Sequence, residues 1–226
     1  MVKILIAPQF SDVEFTHVNL NETMKLMFDK EEQERNFPSP FHQTMFIDQV
    51  IAMYDDTMLF GGWLEDQRFL NDHFLGHDPE QDMMLHIGLD IMLPIGTRIV
   101  AHDNGTVVDV FIDKSTMNGW GGRVTVLYDN PKDAEFGYMI YGHLHHQRIV
   151  HVGQLVQAGD TIGYVTNETQ NGGWFPHVHI QVVDQDFMNM FAPKDIDGLV
   201  THSNMLDTIL PHVVDPTCIV FDCNEM

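Results

Sequence analysis

The sequence predicts a mostly β fold, a small antiparallel sheet or barrel-like domain carrying an N-terminal helical extension and a C-terminal extension. Three observations carry that expectation. Between residue 84 and about residue 185, short strand-forming runs alternate with Gly, Pro and Asn turn signals. Helix-type composition is concentrated upstream, over residues 16–54, with one further piece near the C-terminus. Hydrophobic residues make up 44% of the chain, with 15 Phe and 15 Met, which suits a packed globular core rather than disorder.

Residues 16–34, HVNLNETMKLMFDKEEQER, have helical composition, with Asn21 or Thr23 as candidate caps and the Pro38-Ser39-Pro40 break as a stop. Residues 42–54, HQTMFIDQVIAMY, form a second apolar-periodic stretch. A loop-like region rich in Gly, Asp and Asn, GGWLEDQRFLNDHFLGHDPEQD, leads into seven strand patterns. These are MLHIGLDIML, TRIVAHD, GTVVDVFID, RVTVLYD, YMIYGHL, GDTIGYV and HVHIQVV, separated by Pro94, Gly96, Asn104-Gly105, Gly121-Gly122, Gly153 and Gly159. Beyond them come a helical piece around Met205 to Leu210 and VVDPTCIVFD, which reads as an edge or packing strand. The resulting organisation is an extension over 1–75 packed on the core, a β domain over 76–185, and a C-terminal extension over 186–226. The first segment holds too little apolar periodicity for a core of its own, since chains below roughly 70 residues seldom bury enough surface alone.

Eleven basic residues against 33 acidic ones give a net charge of −22. Such a surface repels nucleic acid and anionic membranes, so neither is an expected partner, and it keeps the protein solvated. The sequence has no uninterrupted apolar run of about 18 residues. The opening MVKILIAPQF meets Pro8 and then acidic residues before an export signal develops, so a cytoplasmic location is expected. Cys218 and Cys223 have neither knuckle nor framework spacing, and two free thiols in a reducing compartment are expected.

The chemistry concentrates in two segments about ninety residues apart, His86-Ile87-Gly88-Leu89-Asp90 and His177-Val178-His179. On an extended strand, residues two or four apart project from one face, so His86 with Asp90, and His177 with His179, supply four potential ligands across two strands. Catalytic zinc is typically held by three imidazole or carboxylate ligands with a fourth position for water, which makes an open zinc site and hydrolysis the expectation. No H-E-x-x-H is present, so no helical glutamate can act as base.

The run HIGLDIMLPIGTRIVAHDNGTVV, with YGHL at 141–144, VGQLVQAGDTIGYV at 152–165 and FPHVHIQV at 175–182, resembles the lysostaphin-type zinc metallopeptidases, which cut peptide bonds in bacterial peptidoglycan. The resemblance implies a small, mostly antiparallel β-sheet with the site in a groove across it. It further implies His86, Asp90 and His179 as Zn2+ ligands, His143 and His177 as the catalytic pair, and a peptide or muropeptide as substrate. Two neutral imidazoles and one carboxylate leave such a site with a net charge of about +1, suited to polarising a carbonyl. The two remaining histidines would serve as general base and as oxyanion or leaving-group partner, in either order.

Two departures from the family pattern stand out: Ile180 and Gln181 occupy positions where an aromatic and an acidic residue are usual, and members are usually exported. FGGWLEDQRFLNDHF and DPTCIV resemble a cytoplasmic subset whose peptidase-like domain is joined to kinase-like and aminotransferase domains. The rival functions are an intracellular amide hydrolase on the same scaffold with a non-peptidoglycan substrate, and a zinc-bearing binding module without turnover. Elsewhere, alternation places His145 on the His143 face as an exposed strand-end imidazole, His102 reads as structural, and Asn118–Gly122 reads as a flexible loop that brings Trp120 to the groove.

Overall fold

The computed structural model describes residues 3–28, 40–54, 57–67, 82–129, 136–202 and 205–222. In chain order the elements are β1 (Phe15–His17), α1 (Leu20–Met27), α2 (Pro40–Met53), β2 (Met58–Gly61), β3 (Asp82–His86), β4 (Leu89–Met92), β5 (Arg98–Val100) and β6 (Gly105–Ile112). They continue as β7 (Gly122–Tyr128), β8 (Tyr138–Leu144), β9 (Leu155–Val156), β10 (Thr161–Tyr164), β11 (His177–Val183), α3 (Gln185–Met190), β12 (Leu199–His202), α4 (Leu206–Ile209), β13 (Val213–Val214) and α5 (Thr217–Val220). Strand makes up 34% and helix 24%, the mostly β class that the sequence predicts.

A nine-stranded sheet runs β1-β2-β4-β11-β8-β7-β6-β9, with β13 pairing the far end of β11. Its pairs are antiparallel except β1 with β2. β5 pairs with β10 and β3 with β12 in two small ribbons. Strand β11 is buried along its whole length, on its polar face as well as its apolar one. Val178, Ile180 and Val182 enter the main core beside Leu89, Ile91 and Tyr141, each worth roughly 1.5–3 kcal/mol when fully buried. His177, His179 and Gln181 point the other way and are just as enclosed.

The residues upstream of β3 join this sheet directly. β2 pairs with β4, Val100 N–H bonds to the Ile6 carbonyl, and Ile4 and Ile6 lie in the main core with Val220 and Phe221. Leu20 and Met24 of α1 and Phe46 and Val50 of α2 pack with Met92, Trp174 and Phe175, so the two helices support one wall of the site. Among the described residues no helix is long and apolar enough to cross a membrane.

Several local expectations need correction. The first helix starts at Leu20, and its cap is Asn19 rather than Asn21 or Thr23, because an extended Asn19 reaches the Glu22 N–H with its side chain at 2.9 Å. The Asn-x-x-Glu spacing of a capping box was present in the sequence. Pro40 opens α2 instead of closing α1, as a residue without an N–H can at a helix start. The segment MLHIGLDIML is two strands in different sheets, broken at Ile87-Gly88. Of VVDPTCIVFD, expected as a strand, Val213–Val214 form β13, and Pro216 then caps the short helix α5. Cys218 is disulfide-bonded, against the expectation of a free thiol, and Cys223 lies outside the described residues. Residues 68–81 of the loop-like region also lie outside them.

Candidate functional site

His86 ends β3 and Asp90 sits in β4, so regular alternation on one strand does not explain their approach. The chain instead turns at Ile87-Gly88, where the Ile87 N–H bonds to the Gly198 carbonyl at 2.9 Å. Gly88 is required there, because a Cβ would lie 2.3 Å from Cε1 of His179. The turn leaves His86 Nε2 3.4 Å from Asp90 Oδ1. From β11, paired to β4 with His179 opposite Asp90, His179 Nδ1 comes to 3.0 Å from Asp90 Oδ1 and 2.9 Å from His86 Nε2.

His177 lies on the same face, with Nε2 3.6 Å from Asp90 Oδ1. His143 arrives by a different route. Alternation from the core residues Met139 and Tyr141 would turn it into the core, but its φ is +60°. That left-handed conformation is uncommon outside glycine and costs of order 1–3 kcal/mol. It carries the ring to the site, with its centroid 4.5 Å from that of His177. The structure thus brings together all five residues singled out in the sequence.

Hydrogen bonds at the outer ring nitrogens fix which nitrogen faces inward. His86 Nδ1–H donates to the Gly62 carbonyl at 2.9 Å, His143 Nδ1–H to that of Asn171 at 2.8 Å and His177 Nδ1–H to that of Phe175 at 2.7 Å. A carbonyl can only accept, so Nε2 of each of these rings is left to act as the acceptor when the imidazole is neutral. Gln181 Oε1 faces His179 Nε2 at 3.5 Å, a neutral amide in the position where the family pattern has an acid.

Burial raises the carboxyl of Asp90, but the surrounding imidazoles of His86, His177 and His179 outweigh it and hold the group well below the usual carboxylate range. Burial also disfavours the charged form of His86, yet Asp90 and the Gly62 carbonyl raise its pKa on balance. Burial lowers His143, His177 and His179, and neighbouring imidazoles push His143 further down. An anionic oxygen and two inward nitrogens, mutually 2.9–3.4 Å apart, form a group that could hold a cation. Bonds of about 2.0–2.1 Å to a tetrahedral ion would set its ligand atoms about 3.3 Å apart, so the donor set fits zinc in size and chemistry. His86, Asp90 and His179 also form a buried metal-type cluster by proximity alone.

The five residues line a cavity of about 260 Å³. Trp120 forms one side, its ring stacked 5.9 Å from His143 and edge-on 5.3 Å from His179. Its loop, expected to be flexible, is pinned: Trp120 N–H bonds to Asp113 Oδ2 at 3.0 Å, and the indole N–H bonds to the Ile196 carbonyl at 2.8 Å. Gly142 leaves room for the indole, since a Cβ there would be 2.7 Å from it. Behind Trp120 the guanidinium of Arg123 is fully buried, 5.1 Å from the indole and paired with Asp109.

Sequence reasoning missed Gly62, Gln67, Asn171 and Asp197. Gln67 donates to Asp90 Oδ2 at 3.4 Å, while Asp197 lines the cavity. The completely buried Asn171 donates to the Trp174 carbonyl at 2.9 Å and accepts from the Trp174 N–H at 2.9 Å. The Asn-Gly-Gly punctuation was the available signal for Asn171, but a turn signal does not reveal its tertiary partners. His145 and His146 stay outside the cavity. His146 Nε2–H donates to the Asp113 carbonyl at 3.1 Å, and His145 Nδ1 accepts from the Gln147 N–H at 3.0 Å.

Comparison with known proteins finds a family model that matches part of the chain. Residues 84–190 match the model of peptidase family M23. Among solved structures, the chain is similar to the catalytic domain of the antimicrobial peptidase lysostaphin from Staphylococcus simulans, at 22% identity over 60% of this chain and 79% of that one, with a TM-score of 0.39. A variant of the catalytic domain of the prophage-encoded M23 protein EnpA from Enterococcus faecalis is 26% identical over 45% of this chain and 69% of that one, with a TM-score of 0.36. A zinc-containing peptidase from Vibrio cholerae is 19% identical over 55% and 36%, also with a TM-score of 0.36. No curated protein matches the sequence.

Proposed function

We propose, from the match of residues 84–190 to the model of peptidase family M23, that this protein is a zinc-dependent metallopeptidase acting on peptidoglycan-derived peptides such as soluble muropeptides. One observation carries the reading: three ligand-type atoms converge within 3.4 Å of one another beside two histidines whose inward nitrogens are free to accept.

His86 Nε2, Asp90 Oδ1 and His179 Nδ1 would hold the ion. When bound, zinc supplies Lewis-acid polarisation of the scissile carbonyl and makes water acidic near neutral pH. The protein's own groups handle the protons. Nε2 of His143 or His177 accepts one from the attacking water, and the other ring hydrogen-bonds the developing oxyanion or passes a proton to the departing amine as the C–N bond breaks. Their Nδ1–H bonds to the carbonyls of Asn171 and Phe175 keep both rings in the tautomer and orientation that this requires. A binding module without turnover has no use for His143 held at φ +60° with its acceptor nitrogen inward.

The net charge of −22 favours soluble fragments over intact walls, since wall polymers are largely anionic and like charges slow encounter. The test is cleavage of soluble muropeptides by zinc-loaded protein. His143→Ala and His177→Ala should retain zinc and lose about 100-fold or more in turnover, the usual share of a general acid or base. Near wild-type turnover in either variant would remove that residue from the mechanism. No cleavage of any muropeptide by the loaded wild type would remove the proposal.

A further inference from the structure

Outside the five-residue cluster, the cavity lining has a single formally charged side chain, Asp197. Its neighbours there are apolar or neutral, among them Trp120, Met84, Leu199 and Asn118. Among the described residues Asp197 is in no ion pair. The nearby Arg123 contributes its charge at a distance but directs its donors to Asp109 and to the carbonyls of Pro193 and Ile196.

The backbone that carries Asp197 is fixed on both sides. Before it, the Ile196 carbonyl accepts from Trp120 Nε1 and from Arg123. After it, the Gly198 carbonyl accepts from Ile87, and Leu199 pairs with His86 across β12 and β3. Gly198 lies against His179 so closely that a Cβ would stand 3.0 Å from the ring, which places Asp197 one residue from contact with a candidate metal ligand. One carboxylate oxygen, Oδ1, accepts the Leu199 N–H at 3.1 Å and holds the group in place. The Gly198 N–H also bonds to the carboxylate, which stands exposed at the edge of the cavity. A preorganised carboxylate with no ion-pair partner among the described residues, beside a lining that is neutral outside the five-residue cluster, is what a ligand cation recognises.

We infer that Asp197 is the recognition site for a substrate ammonium group on the residue beside the scissile bond. The word scissile rests on the hydrolase reading; the ammonium site itself does not. The ammonium has two chemical sources, a free α-amino terminus or a basic side chain, and one set of peptides separates them.

Binding of three probes to the zinc-loaded protein is read from the initial change in tryptophan emission, before turnover. The probes are trialanine amide with a free amino terminus, its N-acetylated form, and N-acetyl-Ala-Lys-Ala amide. At least one ammonium-bearing peptide should bind about two- to fivefold more tightly than the neutral one, the scale of one exposed ion pair. Preference for the free terminus assigns the α-amino group, and preference for the lysine peptide assigns a side chain. Asp197→Asn keeps an oxygen for the Leu199 N–H and removes the charge, so it should abolish the preference without changing affinity for the neutral peptide. Equal binding of charged and neutral probes, a preference that survives Asp197→Asn, or no saturable binding of either charged probe overturns the inference. Cleavage is followed in parallel: a charge preference without cleavage tells against the hydrolase reading alone, and cleavage without preference tells against Asp197 alone.

Discussion

The carbonyl oxygen of Gly62 lies 2.9 Å from Nδ1 of His86, so a residue upstream of the family-matched segment sets the orientation of a candidate metal ligand inside it. Gly62 has φ +105°, and a Cβ there would stand 2.5 Å from that same nitrogen. Hydrogen bonds of this kind fix a ligand's tautomer and raise its basicity.

Gly62→Ala is therefore expected to reduce zinc affinity by roughly 10- to 100-fold, the usual cost of disturbing a ligand's outer partner. Competition against a chromophoric chelator measures it. Wild-type affinity in the variant would mean that His86 needs no help from the upstream segment.

Asn171 supports both catalytic candidates at once. Its carbonyl holds His143, and its side chain fixes the 173–175 turn whose Phe175 carbonyl holds His177. In Asn171→Ala the buried groups of Trp174 and Phe175 lose partners, and each unpaired buried group costs roughly 1–3 kcal/mol. We expect a loss of at least about 2 kcal/mol in urea unfolding, retained zinc and a fall in kcat larger than the change in KM. Unchanged kcat would show that the two rings are oriented by other means.

The hydroxyls of Tyr128 and Tyr141 bond to each other in the core, and burial raises both above the ordinary tyrosine range near 10. The sign follows from proton counting. Below about pH 10 both states hold these protons; above it the unfolded chain releases them and the folded protein does not, so stability falls as pH rises. Each tyrosine contributes up to about 1.4 kcal/mol per pH unit. Unfolding midpoints between pH 8 and 11 should fall, and the Tyr128→Phe, Tyr141→Phe double variant should flatten that slope. An equal slope in the double variant would assign the loss to other groups.

Much of the β architecture was legible because period-two patterns and Gly or Pro turns are local. β6, β8, β10 and β11 lie within the runs that the sequence marked, and β7 starts one residue before its run. The same rule failed where a strand was irregular. It joined His86 and Asp90 through one pleated strand, whereas a break at Ile87-Gly88 joins them, and it could not foresee that His143 leaves the alternation of β8 through a positive φ. Local composition read only the start of VVDPTCIVFD, where Val213–Val214 form β13; the DPT turn then starts a helix rather than continuing the strand.

By itself the sequence determined the supply of chemistry: the imidazoles and the carboxylate, their positions near strand ends and turns, and an acidic surface that disfavours polyanionic partners. Residue type and short-range periodicity fix these without knowledge of the partners. Only the tertiary structure decided which ring nitrogens face inward, because that depends on carbonyls of Gly62, Asn171 and Phe175, the first two distant in sequence from the rings they hold. It also decided that Asp197 stands on the cavity wall, since that wall is fixed by Arg123, Trp120 and Ile87 from three other parts of the chain. A hydrogen bond or a packed ring depends on distance in space, and spacing along the chain does not encode it.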